Sequence, residues 1–392
     1  MKKKNVLFVV DERKMGGVSV LLEDMLNMID NNKYNIDVLV LHNNGDMLDQ
    51  LGKNVRVLYG TPYFYGIDYT MKEAIRSLNL KTIFHKLQVI FDMKSGLIKK
   101  KIISERKKIL DKKYDTEIAF KDGFTAIFTA YGDSSKKIHW LHYEYKKTNP
   151  NEKYNKLFLD VFRYFDCFVA VSDSVEEAFN NIYKKEDKSI VINNLVDTNK
   201  IKNRAKEKCD VLLNKKEINF VSVGRLHKQK GFDRVIEAIK MLKDNNLLPD
   251  NFKYRLYGDG SEKTYLLDKV NEYGLNDYIF LMGEVKNPYK YIKNNDLFIL
   301  SSVYEPFGLV IVEAMTLGVP VLATKNHATG ELIDDRWNGY ITDNSTDGIY
   351  AGMKYLIANK EEINKYKKNL KKYSYRNDKI IEQIEEVLSN EK

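Results

Sequence analysis

Short apolar runs alternate along the chain with segments of helical periodicity, and this alternation limits the possible folds more than any other sequence feature. The first run, Asn5 to Val10, is joined to the helical pattern by a loop that contains Gly16 and Gly17. Similar units continue to "KSIVINN" at 188–194. Because parallel strands need a crossover between them, usually a helix, the pattern predicts an α/β domain with a parallel sheet.

The pattern lapses at 197–216, which is polar and lacks clear periodicity, and then starts again with strands and helices of the same kind. A chain of 392 residues is too long for one ordinary core. We therefore predict an N-terminal domain over 1–200 and a second domain over 201–373, with 197–216 as the linker. An apolar stripe in 374–392 predicts a C-terminal helix that docks back on the N-terminal domain.

Cysteine content and apolar run lengths indicate the compartment. The two cysteines, Cys167 and Cys209, have neither metal-ligand spacing nor a disulfide pattern, which suits a reducing compartment. The apolar run near the start is too short for a signal peptide, and no run is long enough to cross a bilayer. We expect a cytoplasmic protein and leave open peripheral attachment to the inner face of the cell membrane.

The net charge of +9 is concentrated in residues 94–113, where nine Lys or Arg residues face two carboxylates. Apolar residues fall loosely on one side of this segment. It is either a basic amphipathic surface that binds anionic lipid or a solvated lysine-rich face. Nucleic acid is not an expected partner, because no binding motif is present and the tyrosines are not interleaved with the basic run.

The stretch "SSVYEPFGLVIVEAMTLGVPVLAT", residues 301–324, carries Glu305 and Glu313 among apolar residues. Proline and glycine residues at both ends predict a short helix over 309–317, whose first N–H groups would bind phosphate well. Glu313 is either a surface carboxylate stabilised by the helix dipole or a buried group that binds a ligand's vicinal hydroxyls. We favour the ligand role, because its neighbours are apolar and a buried carboxylate without a partner is costly.

Two cations accompany a glycine turn in "VGRLHKQKGF". Arg225 follows the end of a predicted strand, and Lys230 stands just before the next helix. Lys230 alone is equally well explained as a solvated loop residue. Together with Arg225 and the two glutamates, it predicts a diphosphate site in the crevice between the two domains.

These motifs carry a family resemblance. The segments "VGRLHKQKGFDRVIEAI", "YGDGSE" and "EPFGLVIVEAMTLGVPVLAT" resemble the retaining glycosyltransferases of family 4, the group 1 transferases. The resemblance is strong over 216–345 and weaker over 1–200. It implies the GT-B fold, in which two Rossmann-like domains with parallel sheets face a central cleft, the first binding the acceptor and the second the nucleotide-sugar donor.

The resemblance also implies roles for the donor-side residues. Glu313 would hold the ribose hydroxyls, and Arg225 with Lys230 would neutralise the diphosphate. Glu305 would meet the donor sugar and phosphate together with the backbone of three residues, Phe307, Gly308 and Leu309.

On the N-terminal side, the resemblance implies that Gly16 and Gly17 let the backbone approach donor and acceptor. His142, at a predicted strand end, is similar in position to the histidine that contacts the transferred sugar. His139 competes for this assignment, and either histidine can instead bridge backbone groups in a core.

The sequence thus predicts a retaining hexosyltransferase with catalytic residues His142, Arg225, Lys230 and Glu305. The donor would be a nucleotide diphosphate sugar with UDP as the expected nucleotide, and the acceptor a cell-surface glycan or lipid-linked intermediate. No cofactor or metal is expected, because the two cations can neutralise the leaving group. The alternatives are a GT-B epimerase or phosphorylase and a non-catalytic nucleotide-sugar-binding protein; "YGDGSE" is too short for a dinucleotide motif.

Overall fold

The computed structural model describes residues 3–11, 17–42, 55–67, 71–76, 78–143, 160–211, 213–214 and 216–389. The chain divides into two compact units. The first consists of Met1–Leu195 together with Asn377–Lys392, and the second of Val196–Arg376.

The first unit is built on a parallel sheet, which has seven strands in the described part of the chain. The strands are β1 (Lys4–Val10), β2 (Tyr34–Val40), β3 (Arg56–Tyr59), β4 (Thr116–Ala119), β5 (Lys136–Leu141), β6 (Cys167–Ala170) and β7 (Ser189–Val191). Their spatial order is β3-β2-β1-β4-β5-β6-β7. In β1, Val6 pairs with Ile36 on one side and Thr116 on the other. This central position explains why β1 is an almost continuous apolar run.

Helices connect these strands: α1 (Gly17–Met28), α2 (Met71–Arg76), α3 (Leu80–Ser95), α4 (Ile98–Ile109), α5 (Phe124–Ala130) and α6 (Asp173–Tyr183). A short 3-10 helix, Pro62–Gly66, precedes α2. No helix in the described ranges combines the length and apolar content that crossing a bilayer requires.

The second unit contains another parallel sheet, with six strands among the described residues. They are β8 (Ile218–Val223), β9 (Phe252–Tyr257), β10 (Ile279–Gly283), β11 (Leu297–Leu300), β12 (Val321–Thr324) and β13 (Gly339–Thr342). The order β10-β9-β8-β11-β12-β13 means that the chain adds strands on one side of β8 and then on the other. The switch point between β8 and β11 is where open α/β sheets bind ligands.

Helices cover both faces of this sheet: α7 (Thr198–Arg204), α8 (Phe232–Asp244), α9 (Lys263–Glu272), α10 (Tyr289–Ile292), α11 (Leu309–Thr316), α12 (His327–Leu332), α13 (Thr346–Ala358) and α14 (Lys360–Leu370). Successive residues of β8 serve different cores, since Phe220 packs in one apolar cluster and Val221 in another. The predicted fold class, two α/β domains with parallel sheets, is confirmed.

The predicted linker at 197–216 is wrong in its first part, because α7 lies there. Asp197 caps this helix, accepting a hydrogen bond from the Lys200 N–H at 2.8 Å. Ile201 is the one buried residue of α7. A helix of two turns with a single buried residue leaves no hydrophobic periodicity to detect.

The last helix, α15 (Asn377–Ser389), belongs to the first unit. Lys4 Nζ donates to the Ser389 carbonyl at 2.7 Å, and Lys136 Nζ donates to the Val387 carbonyl at 2.6 Å. Four residues of its predicted apolar stripe are buried, namely Ile380, Ile384, Val387 and Leu388.

The basic segment 94–113 is not one solvated surface. Arg106 is buried, and its guanidinium lies 2.7 Å from the Glu117 carboxylate, which is fully buried. Lys101 and Lys108 both pair with Glu105, at 3.0 and 2.8 Å. About half of the basic residues of α4 thus neutralise internal carboxylates, which the count of charges in the sequence did not reveal.

We predict that Arg106→Met lowers the free energy of unfolding by about 3–5 kcal/mol, because it leaves the Glu117 carboxylate buried without its ion pair. Urea unfolding measures the change. The matched control is Lys107→Met, at the exposed neighbouring position, which should change the free energy of unfolding by less than about 0.5 kcal/mol. Equal effects of the two substitutions would show that the ion pair does not stabilise the unit.

Candidate active site

The loops that follow β8 and β11 are bound to each other at the switch point of the second unit. The Val303 N–H donates to the Gln229 carbonyl at 2.9 Å, and Gln229 Nε2 donates to the Tyr304 carbonyl at 3.1 Å. Ser301 Oγ donates to the Lys230 carbonyl at 2.8 Å. These hydrogen bonds fix the loop that carries Lys230 against the loop that carries Glu305.

Gly231 makes this close approach possible. Its φ of +62° is in the left-handed region, and a Cβ at this position would lie 2.4 Å from the Ser301 carbonyl oxygen. Gly231 lies between the 3-10 helix Lys228–Lys230 and α8, as the C-terminal cap of the first and the N-terminal cap of the second. Any other residue would bring a Cβ into this contact, so only glycine fits here without a steric clash.

Lys230 and Glu305 form an ion pair between the two loops. Lys230 Nζ lies 2.7 Å from Glu305 Oε2, which also accepts a hydrogen bond from Ser302 Oγ at 3.0 Å. The Glu305 side chain is largely buried, and that of Lys230 is about one quarter exposed. Two residues predicted to serve the donor are therefore in direct contact, and Ser302 holds the carboxylate in place.

Arg225 lies in the loop after β8, and its side chain is exposed. Among the described residues it has no ion-pair partner. Its guanidinium can therefore meet an anionic ligand without breaking an existing interaction.

Glu313 lies in α11 and is half-buried, so the structure meets the expectation of a buried carboxylate only in part. Its Oε1 accepts a hydrogen bond from the Tyr289 hydroxyl at 3.3 Å, across from α10. Ile311, Val312, Ala314 and Met315 are buried. These buried neighbours thus occupy the other sides of the helix, and Glu313 is the one charged residue of α11.

The start of α11 leaves backbone N–H groups available. Gly308, at φ +84°, precedes the helix and provides no side-chain cap. Phe307 is buried, with its ring centroid 6.5 Å from that of Tyr375, and Leu309 is half-buried. The first N–H groups of a helix have no partner within the helix and carry partial positive charge, which favours an anion.

The first unit carries the remaining predicted residues. Gly16 lies outside the described residues, and Gly17 begins α1. His142 follows β5 and is buried, with its ring centroid 4.7 Å from that of Phe120. Its Nε2 is buried and makes no hydrogen bond to the described part of the chain. Burial lowers the pKa of the His142 imidazole to about 3, so the ring is neutral at physiological pH.

His139 differs from His142 in its surroundings. It is fully buried among phenylalanine rings, and its Nε2 lies 3.3 Å from both the Lys121 carbonyl oxygen and Asp122 Oδ1. This geometry joins β5 to the loop after β4. His139 therefore has the bridging role that the sequence left open for either histidine.

Sequence reasoning missed the residues that hold the 301–305 loop. Arg234 of α8 donates to the Ser301 carbonyl and, at 2.8 Å, to Asn344 Oδ1. Asn344 Nδ2 in turn donates to the Val303 carbonyl at 2.9 Å. Isolated polar residues in a helix and a loop give no sequence signal for such contacts. Within the described ranges, no three His, Cys, Asp or Glu side chains are grouped as metal ligands.

We predict that Gly231→Ala costs about 1–3 kcal/mol more in free energy of unfolding than Gly96→Ala, as measured with urea. Both glycines have positive φ, +62° and +75°, but a Cβ at Gly96 meets nothing within 4 Å. The difference therefore isolates the clash with the Ser301 carbonyl. Equal costs would mean that the two loops separate easily.

A second prediction concerns the pH dependence of stability. The pKa of His142 is lowered to about 3 in the fold and is about 6.5 when unfolded, so this group stabilises the fold fully above pH 6.5 and less as the pH falls toward 3. Between pH 6.5 and 5, the free energy of unfolding should fall by about 2 kcal/mol more in the wild type than in His142→Gln. His327→Gln, at an exposed histidine, should retain the wild-type slope; the same slope in all three proteins would contradict the assignment.

Comparison with known proteins shows which family part of the chain resembles. Residues 203–377 match the profile described as "Glycosyl transferases group 1", which covers somewhat less than half of the chain. The chain is 28% identical over 241 residues to the N-acetylgalactosamine-N,N'-diacetylbacillosaminyl-diphospho-undecaprenol 4-alpha-N-acetylgalactosaminyltransferase of Campylobacter jejuni, covering 60% of this chain and 63% of that protein.

A second relative is the UDP-Gal:alpha-D-GlcNAc-diphosphoundecaprenol alpha-1,3-galactosyltransferase of Escherichia coli. It is 22% identical over 335 residues, covering 82% of this chain and 84% of the relative. Four other alignments, including the Campylobacter one, span only 48% to 63% of the curated relatives' length.

Among solved structures, Anabaena HepE in complex with UDP and glucose superposes with a TM-score of 0.73 at 19% identity, covering 99% of this chain and 100% of that chain. At this identity the likeness establishes the fold. The chain therefore has the GT-B fold of these glycosyltransferases, and its residues 203–377 have the sequence pattern of the group 1 glycosyl transferases.

Proposed function

We propose that the protein is a retaining, metal-independent glycosyltransferase that moves a hexosyl unit from a UDP-sugar to a cell-surface glycan or a lipid-linked oligosaccharide intermediate. The observation that carries the proposal is the contact between Lys230 and Glu305 at the switch point of a sheet within the region that matches the group 1 family. Family 4 is the subgroup that the motifs favour.

The donor would bind along the carboxyl ends of β8 and β11. Arg225 and Lys230 supply positive charge for the diphosphate, and the start of α11 adds backbone N–H groups. Glu313, which accepts a hydrogen bond from Tyr289, would bind the ribose hydroxyls, and Glu305 would bind the sugar. The names of the relatives support UDP, since HepE was solved with UDP and the Escherichia coli relative is named for UDP-Gal.

Electrostatic stabilisation would be the main catalytic effect. Cleavage of the anomeric bond places negative charge on the departing diphosphate and positive charge on the sugar ring. Arg225 and Lys230 would stabilise the diphosphate without a metal ion. Lys230 would lose its ion pair with Glu305 on donor binding. An ion pair between its ammonium group and the diphosphate would replace it.

Retention would not need a protein nucleophile. Ser302 Oγ donates a hydrogen bond to Glu305 Oε2, and the donor sugar's hydroxyls would bond the same carboxylate once Lys230 binds the diphosphate, which leaves Glu305 a weak nucleophile. We propose that the acceptor attacks from the face on which the diphosphate leaves. The buried Nε2 of His142 would gain a hydrogen bond from a sugar hydroxyl, which offsets the cost of leaving a buried polar atom unbonded.

The acceptor class rests on the relatives. Two of them are named for diphospho-undecaprenol sugars, which are lipid-linked acceptors. We therefore propose a cytoplasmic protein on the inner face of the cell membrane. In the basic segment 94–113, the exposed lysines available to anionic lipid include Lys99, Lys100 and Lys107.

Two measurements test this function. Thermal stabilisation by a panel of nucleotide sugars identifies the donor, and a stabilising sugar nucleotide should then be consumed only when a lipid-linked or glycan acceptor is added. Sugar interconversion without an acceptor would instead indicate an epimerase, and dependence on orthophosphate a phosphorylase. Binding without turnover under any of these conditions would indicate a non-catalytic binding protein.

We predict that Arg225→Ala raises the barrier to sugar transfer by about 2–4 kcal/mol with the fold intact, because Arg225 is exposed and supports no described side chain. The measurement is kcat/KM for the donor, which should fall by about 30- to 1,000-fold. Lys228→Ala, at an exposed lysine in the adjacent 3-10 helix, is the matched control and should keep wild-type kinetics. Unchanged kinetics of Arg225→Ala would remove the residue from the diphosphate site.

A further inference from the structure

The outward side of α3 is apolar, which is the reverse of a normal surface helix. Four large side chains, at spacings of four, three and four residues, fall on one side of the helix. Their exposed fractions are 80%, 62%, 52% and 62% for Leu80, Phe84, Leu87 and Phe91 respectively. We refer to these four residues as the apolar ridge. Soluble proteins rarely expose contiguous apolar side chains of this size without a partner.

The helix that carries the apolar ridge is well fixed. Asn79 Oδ1 caps its start by accepting from the Lys81 N–H at 3.0 Å, and Gly96, at φ +75°, ends it. On the inner side, Val89 and Asp92 are buried. Gly66 lies so close to α3 that a Cβ there would be 2.6 Å from the backbone of His85. The ridge is therefore turned outward by close packing of the other side of the helix.

Exposed apolar residues continue on both sides of α3. Ile75 and Leu78 precede it, and Leu97 and Ile103 follow it, each at least 36% exposed. The 16 residues of α3 alone extend over about 24 Å. Exposed apolar side chains thus recur over residues 75–103. A helix that lies parallel to a flat apolar surface requires such an extended set.

The charges around the apolar ridge have one sign. Residues 78–104 contain six lysines and a single carboxylate, Asp92, which is buried. Lys81 and Lys94 are exposed near the two ends of α3, and Lys99 and Lys100 are exposed on α4. A protein partner would have to match both the apolar ridge and the surrounding cations, whereas an anionic bilayer presents phosphates beside acyl chains.

We infer that the apolar ridge is a membrane-docking surface, with α3 lying in the plane of an anionic bilayer. Leu80, Phe84, Leu87 and Phe91 enter the boundary between headgroups and acyl chains, and the neighbouring lysines contact lipid phosphates. The inference goes beyond the proposed transfer reaction and assigns the apolar contact to α3 rather than to the basic segment. It rests on the proposed function in one respect, namely that the acceptor is located at the membrane.

The test is co-sedimentation of the full chain with vesicles made of equal parts of phosphatidylcholine and phosphatidylglycerol, without any nucleotide sugar. The triple variant Phe84→Gln, Leu87→Gln, Phe91→Gln should partition at least about 100-fold more weakly than the wild type, because it removes apolar area that enters the bilayer. The matched control, Ile190→Gln, Leu247→Gln, Leu267→Gln, changes three other exposed apolar residues, each 37% to 40% exposed, and should bind as the wild type does.

A separate variant tests how much the lysines contribute to vesicle binding. The variant Lys94→Gln, Lys99→Gln, Lys100→Gln should bind these vesicles about 10- to 100-fold more weakly. The reason is that each lysine near an anionic surface strengthens binding by a similar factor. Binding of the wild type to pure phosphatidylcholine vesicles should be weaker by a similar factor. Arg106 is left unchanged because it holds Glu117.

Depth of insertion gives an independent measurement. Phe84→Trp should be quenched by lipids brominated on their acyl chains, and Leu267→Trp should not. Lack of wild-type binding to the anionic vesicles, undiminished binding of the ridge variant, or equal quenching of the two tryptophans would overturn the inference. So would a dimer that forms without lipid and is lost in the ridge variant, because the ridge would then join two copies of the chain.

The outcome can be separated from that of the proposed function. The ridge variant should keep the same thermal stabilisation by the nucleotide sugar that stabilises the wild type. Loss of vesicle binding with donor binding retained supports the docking surface, whether or not transfer to an acceptor has been observed.

Discussion

The contact between the loops after β8 and β11 is the interaction on which the candidate site depends. Gly231 lets the two backbones come together, Ser301 and Gln229 bond them, and Lys230 with Glu305 provides opposite charges on the two sides. Because the pair is largely shielded from water, neither charge is stable without a partner. A ligand that pairs with the Lys230 ammonium must therefore also donate hydrogen bonds to the Glu305 carboxylate. A molecule with both an anionic part and hydroxyl groups can do so. This coupling gives a physical reason for the two residue types to occur together.

The sequence predicted much of the fold because strands buried in a parallel sheet produce continuous apolar runs, as in β1 and β8. It also predicted Lys230 and Glu305 in one site, although they are 75 residues apart, because each lies in a loop between a predicted strand and the next helix. Side-chain partners were harder to predict. Ser302, Arg234 and Asn344 are isolated polar residues whose roles depend on tertiary contacts, and α7 is too short to show periodicity.

The basic segment and α3 show a second limit of sequence patterns. A count of charges marks residues 94–113 as a surface, yet Arg106 of this segment is buried against Glu117. By contrast, α3 has apolar residues on both its inner and outer sides, and periodicity alone does not tell which side faces the core. The packing of Gly66 against α3 decides the question, and a glycine in a preceding 3-10 helix carries no sign of that role.

The path of the chain has a consequence for how the molecule can be dissected. The first unit is made of two separate stretches, and the second is one continuous stretch between them, Val196–Arg376. The second unit can therefore be excised as a single polypeptide, whereas the first needs a new peptide link from Leu195 to Asn377 or the supply of α15 as a separate peptide. Since α15 buries four apolar side chains, removing it would expose a hydrophobic face of the first unit and leave the sheet that carries Lys230 and Glu305 complete.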